Sequence, residues 1–373
     1  MSGPSIINSS NMKPGGSPRA ELVAIADSDI VELAQLIALQ SGREPTSVES
    51  HLRWFLLENP ARDPRIPLGC GLRSPQGQLV GCILYVPQTF RFQQQTLLIV
   101  GSSSFYVDER YRGCGGLIFL RFSELGRKWP LFGNSANADA AKLWKARGAV
   151  PIPYSDHELF GVLRWRGVIE EGLSRRSVPK TLARMIGGPA ALFARAFRRL
   201  KLEAGRPEDL VSLASAEQVM QLPIHDPAPE LTTTLTANRD LPYIRWRYFS
   251  GRDSTVAVFA FRNKQVESGV LVTVNQRPRG YRGQIRTLNV LDIYPPVTPE
   301  VCASIAAALV ERYRSAIDAI VLRGLDEARQ ALFHRLGFMR RQLDAPNGWF
   351  LDKSGFLPTR NWYLVPADGD WLI

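Results

Sequence analysis

The chain is poor in the residues that build metal and redox sites. It has four cysteines and four histidines in 373 residues. Cys70, Cys82, Cys114 and Cys302 lack metal-ligand spacing, and His51, His157, His225 and His334 are scattered. No metal site is predicted, and the cysteine usage points to a reduced, cytoplasmic protein. Apolar runs are short as well: none approaches the roughly 20 residues that span a bilayer. Residues 1–18, rich in Ser, Gly, Pro and Asn without an apolar run, read as a disordered tail and not as a signal peptide. Two nucleotide fingerprints are missing. A Walker A loop needs Lys then Ser or Thr after its last glycine, where this chain has Leu117-Ile118, and Gly-x-Gly-x-x-Gly does not occur at that turn. Acidic residues are in deficit, 35 against 46 basic, for a net charge of +11.

What is present is enough apolar material for more than one compact domain. The hydrophobic fraction of 45% is ordinary for a globular chain. Glu21 to Ser41 reads as a strand, a turn and a helix, and Ser47 to Leu57 as a second helix. Pro67 to Leu72 and Leu79 to Val86 form a hairpin around Ser74-Pro75-Gln76-Gly77. An apolar strand, Leu97 to Val107, then runs into Arg110-Tyr111-Arg112-Gly113-Cys114-Gly115-Gly116 and a helix from Leu117 to Lys128.

That strand, glycine turn and helix start make an anion site. First-turn N–H groups point outward, the helix dipole favours negative charge, and glycine lets a phosphate approach the backbone. Two arginines add charge-assisted donors. The expected guest is a pyrophosphate; the competing reading is a turn that only links strand to helix.

A second element follows: Asn137-Ala138-Asp139-Ala140-Ala141-Lys142-Leu143-Trp144-Lys145-Ala146-Arg147-Gly148-Ala149. With it, residues 97–149 resemble the GNAT superfamily of acyl-CoA N-acyltransferases. Arg110, Gly113 and Gly115 match that family's Arg/Gln-x-x-Gly-x-Gly/Ala loop. Asn137, Ala140, Leu143 and Gly148 match its Asn-x-x-Ala-x-x-Leu-Tyr-x-x-x-Gly-Phe helix. The resemblance implies acetyl-CoA or another acyl-CoA as donor. The pyrophosphate would sit on Arg110, Arg112, Gly113, Cys114, Gly115 and Gly116, with the pantetheine arm along Asn137, Ala140 and Trp144. A backbone N–H near Tyr106, Val107 and Asp108 would polarise the thioester carbonyl. Two positions depart from the family. Trp144 stands where a tyrosine usually protonates the leaving thiolate, and an indole N–H is no usable acid; Ala149 replaces Phe. The candidate general base is His157, ahead of Glu109, Asp156, Asp368 and Asp370. Ser102, Ser103 and Ser104 are candidate pocket-lining hydroxyls.

The pattern repeats at an offset near 190 residues. Ile244-Arg245-Trp246-Arg247-Tyr248 parallels Leu52-Arg53-Trp54-Phe55-Leu56, and His334-Arg335-Leu336-Gly337-Phe338 parallels Lys145-Ala146-Arg147-Gly148-Ala149. Tyr294-Pro295-Pro296-Val297-Thr298 takes the place of the phosphate loop, and its prolines remove donors. The expected fold is α/β (α+β): two tandem GNAT-like domains, each a mixed, mostly antiparallel sheet flanked by helices. The expected boundaries are 1–18 tail, 19–158 coenzyme-binding domain, 159–206 basic helical linker and 207–373 degenerate second domain. The stretch from Asn361 to Asp370 also loosely resembles a tail of bacterial tandem proteins of this type.

Residues 161–206 carry eleven basic side chains and three acidic ones. Leu182, Met185, Ile186, Leu192, Phe193, Ala196, Phe197 and Leu200 supply an apolar face on segments broken at Gly187-Gly188-Pro189. This segment reads first as amphipathic helices packing on the lobes with a solvated basic face. A membrane-surface contact through the basic linker and an acidic or nucleic-acid partner are the alternatives. Nucleic acid is disfavoured, since aromatics do not interleave with the basic run. The expected acceptor is a small-molecule, amino-sugar or peptide amine. Two other functions stay open: a FemAB-like transferase using aminoacyl-tRNA, and a non-catalytic acyl-CoA-binding regulator motivated by Trp144. The sequence sets no oligomeric state.

Overall fold

A computed structural model describes residues 19–368 except 94, 177, 198–199, 204, 223–233, 251–255, 264–265, 280–284, 356 and 359–361. The tail 1–18 and Asp370 lie outside the described residues. The first lobe opens with β1 (Glu21–Ile25) and α1 (Ile30–Ser41). Ile30, Leu33, Ala34, Ile37 and Ala38 recur at helical spacing in α1 and are buried; Gly42 ends it in the left-handed conformation. Helix α2 (Pro45–Leu52) winds on into a wider π-helical turn, residues 53–57. Then come β2 (Gly69–Arg73), β3 (Leu79–Phe92), β4 (Gln95–Val107), a 3-10 turn (Glu109–Cys114), α3 (Gly115–Glu124), β5 (Leu131–Gly133), α4 (Ala138–Ala146), β6 (Val150–Pro151) and β7 (His157–Val162). A helical pair follows, α5 (Trp165–Arg175) and α6 (Lys180–Phe197). Helix α6 continues through Pro189 and is not broken at the expected Gly187-Gly188-Pro189.

The second lobe holds β8 (Leu210–Ser212), α7 (Ala216–Met220), β9 (Leu235–Ala237), α8 (Leu241–Ile244) with another π-helical turn at 245–250, β10 (Val256–Asn263), β11 (Val266–Arg279), β12 (Ile285–Tyr294), α9 (Pro299–Tyr313), β13 (Ala319–Leu322), α10 (Glu327–Arg335), β14 (Met339–Gln342), β15 (Trp349–Leu351) and β16 (Trp362–Tyr363). Two mostly antiparallel sheets result. One runs β1-β2-β3-β4-β5-β15-β6, with β9 and β16 attached beside β3; the other runs β14-β7-β13-β12-β11-β10-β8.

The lobes exchange strands. Strand β7 leaves the first lobe and inserts between β13 and β14, and β15 leaves the second lobe and inserts between β5 and β6. The boundary expected at residue 158 therefore falls inside a strand of the second sheet, while β9, β15 and β16 belong to the first. All six residues of β7 are buried, as a strand flanked on both edges and covered on both faces requires.

A large apolar core joins the lobes. In it the indole N–H of Trp54 donates to the Trp246 carbonyl at 2.9 Å, and that of Trp246 donates to the Trp54 carbonyl at 3.0 Å. The two tryptophans sit on the paired π-helical turns, so this reciprocal contact marks a pseudo-twofold relation between the lobes. Trp54→Phe leaves a buried carbonyl unpaired and is expected to cost about 1–2 kcal/mol in denaturant unfolding. A loss below about 0.5 kcal/mol would show the bond to be dispensable.

Beside this core lies a buried ionic cluster. Arg239 donates from Nε to Asp292 Oδ2 at 2.8 Å, and its Nη2 lies 2.8 Å from Asp368 Oδ1. All three side chains are fully buried. Gln88 of β3 donates to the Asp368 carbonyl at 2.7 Å, and Val365 N–H to its carboxylate at 3.0 Å. The cluster pins the segment after β16 across both sheets.

Candidate active site

The site forms where β4 and β5 part. These parallel strands pair at Val100–Leu131 and Gly101–Phe132, and among the described residues no further pair is made. Along β3, Leu84 faces Ser103 but Cys82 faces Tyr106, so β4 carries a bulge at Ser104 and Phe105. Ser104 adopts φ 48° there. A bulge bends its strand, and β4 swings away from β5. Beyond Gly101 the outer edge of β4 is unpaired with β5 among the described residues, an opening in the sheet.

That edge supplies a backbone donor. The Asp108 N–H bonds back to Val80 at 2.7 Å. Successive N–H groups along a strand point to opposite sides, so the Val107 N–H points into the opening. Of the three expected positions, Tyr106 and Asp108 turn their amides toward β3 and Val107 is the one that can polarise a carbonyl.

The glycine turn is more closed than expected. Residues 109–114 form a 3-10 turn that runs directly into α3. Arg110 N–H donates to Asp108 Oδ1 at 2.9 Å, Tyr111 N–H to the Asp108 carbonyl at 2.8 Å, and Gly115 N–H to the Arg112 carbonyl. The expected row of outward amides is thus partly consumed locally. The Arg110 guanidinium also holds Asp108, 3.1 Å away, and bonds from its side chain and backbone keep that carboxyl below its ordinary range.

Two observations fit a pyrophosphate to this turn. Arg110 and Arg112 are mostly exposed, Arg112 held only at 3.7 Å from Glu109. Gly116 is exposed and helical, and a Cβ there would meet nothing within 4 Å. Neither backbone strain nor internal packing asks for glycine at 116, and the bare backbone there leaves room for a close approach from outside. Gly113 is exposed, Cys114 half-buried and Gly115 buried. In the second lobe, the Thr298 hydroxyl caps Val301 N–H and α9 begins with Pro299, so that turn offers fewer donors.

Asn137 and Ala140 stand at the head of α4. The Asn137 side chain accepts the Ala140 N–H at 2.9 Å and so caps the helix. Asn137 also lines a cleft between the lobes. Trp144 does not line the opening. Its side chain is 2% exposed and packs edge-on against Phe119 and Phe122. A Cβ on Gly133 of β5 would lie 3.0 Å from its ring and 2.9 Å from Ser102 Oγ. The indole therefore fills the crotch between the strands, a wedge rather than a coenzyme contact.

His157 lies on β7, inside the second sheet. It is buried, with Nδ1 2.6 Å from Asp156 Oδ1. Asp156 also accepts from Gln342 at 3.0 Å. Burial pushes the Asp156 carboxyl up, but the bonds from Gln342 and His157 outweigh it and leave it lowered. Arg340 Nη2 lies 3.3 Å from the same nitrogen, so Nδ1 is held between a carboxylate and a guanidinium that fix the ring in place. Of the other candidate bases, Asp368 is sealed in the ion cluster, and Glu109 is an exposed partner of Arg112.

The cleft carries residues that sequence reading missed. A space of about 590 Å³ is lined by Ser135 to Ala138, Arg277, Arg323, Asp344 and Asn347 among others. A second, of about 240 Å³, shares Arg277 and Arg323 and continues along Asn275, Asn289 and Val290. A third shares Arg323 and Asn347 and reaches His157 and Asn134. The groove thus runs from the Asn137 helix to the second lobe, where β12 parts from β13 beyond Asn289. Arg323 is held by the buried Glu158 at 2.6 and 2.9 Å. These residues come from separated strands, and no spacing in the chain announces them.

No family model and no curated protein matches the chain. Solved structures do. N-myristoyltransferase of Saccharomyces cerevisiae with bound myristoyl-CoA aligns with a TM-score of 0.55 at 12% identity, over 93% of this chain and 81% of that one. A probable N-acyltransferase of Enterococcus faecalis gives 0.55 at 11%, over 91% and 75%. A GCN5-related N-acetyltransferase of Anabaena variabilis gives 0.55 at 11%, over 89% and 72%. The fold is that of the GNAT N-acyltransferases, in a two-lobe arrangement like that of N-myristoyltransferase.

Proposed function

We propose that this chain is an acyl-CoA-dependent N-acyltransferase with one working coenzyme site, on the first lobe. The opening between β4 and β5 beside Gly113–Gly116, joined to a polar cleft between the lobes, carries the reading. Arg110 and Arg112 would hold the pyrophosphate. The pantetheine arm would pass down the opening, and Val107 N–H would bind the thioester oxygen as charge develops on it. Solved structures of the same fold include a transferase with myristoyl-CoA bound.

The acceptor amine would enter by the groove. Arg277 and Arg323 both line it, Arg323 already ion-paired with Glu158, and a groove of this polar lining suits a polar acceptor amine. Asp156-oriented His157 is the candidate to take the ammonium proton, directly or through water. Positioning the two reactants supplies much of the remaining acceleration.

The test is calorimetric titration with coenzyme A, acetyl-CoA and a long-chain acyl-CoA. Micromolar binding that is lost in Gly113→Glu is the expected result, and the preferred chain length would direct the search for the acceptor. Absence of binding by all three would overturn the assignment.

A further inference from the structure

Helix α6 faces the wrong way for a helix that packs only on its own protein. Positions 182, 185, 186, 189 and 192 follow helical spacing and share one face. On that face Met185 and Leu192 are 74% and 72% exposed, and Leu182 and Ile186 nearly half exposed. Ala183 and Gly187 on the opposite side are buried, and Ala190 and Ala191 half-buried. The small residues point inward and the large apolar ones into water. Burying large apolar side chains is a main source of folding free energy, and here that gain is largely forgone. Of the amphipathic face expected to pack on the lobes, Leu182, Met185, Ile186 and Leu192 lie on the outer side, Leu200 packs against the core of the second lobe, and the side chains of Phe193, Ala196 and Phe197 lie outside the described residues.

Among the described residues this face is left open. Trp165 and Val168 of α5 pack on the second sheet against Phe160, Val162, Ala319 and Val321, and α6 lies along α5. Among the described residues no helix is long and apolar enough to cross a membrane, so a lipid contact here would be a surface one.

Charge selects the occupant. Residues 161–206 hold eleven basic and three acidic side chains, eight of the chain's eleven net positive charges. A second copy of the chain would bring the same charge to the same face. An anionic lipid surface attracts it through each Lys or Arg near the headgroups. An apolar stripe on a basic helix is the pattern that lies in a bilayer interface.

We propose that α6 docks the protein on the surface of an anionic phospholipid bilayer, with Leu182, Met185, Ile186 and Leu192 entering the headgroup region. The inference does not rest on the acyl-transfer reading.

Flotation of the full chain with vesicles tests it. The protein is expected to float with phosphatidylglycerol–phosphatidylcholine vesicles and not with pure phosphatidylcholine, and to bind more weakly at raised salt. Met185→Glu/Leu192→Glu should lower the bound fraction at least tenfold while leaving the melting temperature nearly unchanged, because both side chains contact water. The milder Met185→Ser/Leu192→Ser pair should move binding the same way. The proposal is overturned by a wild-type chain that does not float, by equal binding to uncharged vesicles, or by a double variant that floats normally. It is equally overturned if light scattering finds a dimer that the double variant dissociates, which would assign the face to a second copy.

Discussion

Arg239→Ala is expected to destabilise the protein by about 3–5 kcal/mol, the usual result of removing one partner from a buried ion pair. Arg239 stands against both Asp292 and Asp368, and all three side chains are fully buried. Without it, the two carboxylates lose the guanidinium that contacts both, and the buried Arg247 guanidinium beside Asp368 compensates only in part. Burial already holds the Asp368 carboxyl above its ordinary range, against the pull of Arg239. Loss of that pull raises it further. A group whose folded pKa lies above its unfolded value costs stability as pH rises through the folded value. The defect should therefore shrink as pH falls from 7 toward 5, which a plain cavity would not do. Arg239→Met combined with Asp292→Asn and Asp368→Asn should recover most of the loss, since a neutral set of similar shape can replace a buried ionic one. Denaturant unfolding of the three proteins at two pH values measures this. A loss under about 1 kcal/mol in Arg239→Ala, or one independent of pH, would show that the cluster does not hold the lobes together.

Much of the fold was legible because local pattern and final structure agree. The apolar run at Leu97–Val107 is all of β4 but its first two residues, Ala319–Leu322 is β13, and the Asn137 cap and Gly148 bracket α4. The paired turns around Trp54 and Trp246 were visible as a repeat and meet in space. The exchange of β7 and β15 was not legible. A strand such as His157–Val162, apolar on both faces, announces burial but not in which sheet, and that choice depends on edges far away in the chain. The site was half legible. Matching Trp144 to a family position fixed its place along the helix but not its depth, and the ring turned into the crotch between β4 and β5. Glycines at 113, 115 and 116 marked the turn, but the local bonds made by Asp108 depend on a geometry that composition does not show. Arg277 on β11 and Arg323 just after β13 come to one groove only when β12 pairs between those two strands of the second sheet. For α6 the period was right and the direction wrong, because helical spacing defines an apolar face and says nothing about what covers it.

The glycine turn allows stability and binding to be separated. Gly116 is in the first turn of α3, and a Cβ there would meet nothing within 4 Å. Glycine in a helix costs about 0.5–1 kcal/mol relative to alanine. Gly116→Ala should therefore stabilise the free chain by that amount. If the bare backbone serves a phosphate, the same methyl group stands between the turn and its ligand. Coenzyme A should then bind on the order of tenfold more weakly, equivalent to about 1.4 kcal/mol. Gly116→Glu adds a carboxylate where a phosphate oxygen belongs, and like charges brought together cost several kcal/mol. Its coenzyme affinity should fall at least about a hundredfold, about 2.7 kcal/mol, with the chain still folded because the position is exposed. Opposite movements of melting temperature and affinity in Gly116→Ala would mark a residue kept for a ligand. A variant that gains stability and binds coenzyme A as well as the parent would move the pyrophosphate away from this turn. The same residue could then be read as a plain link between β4 and α3.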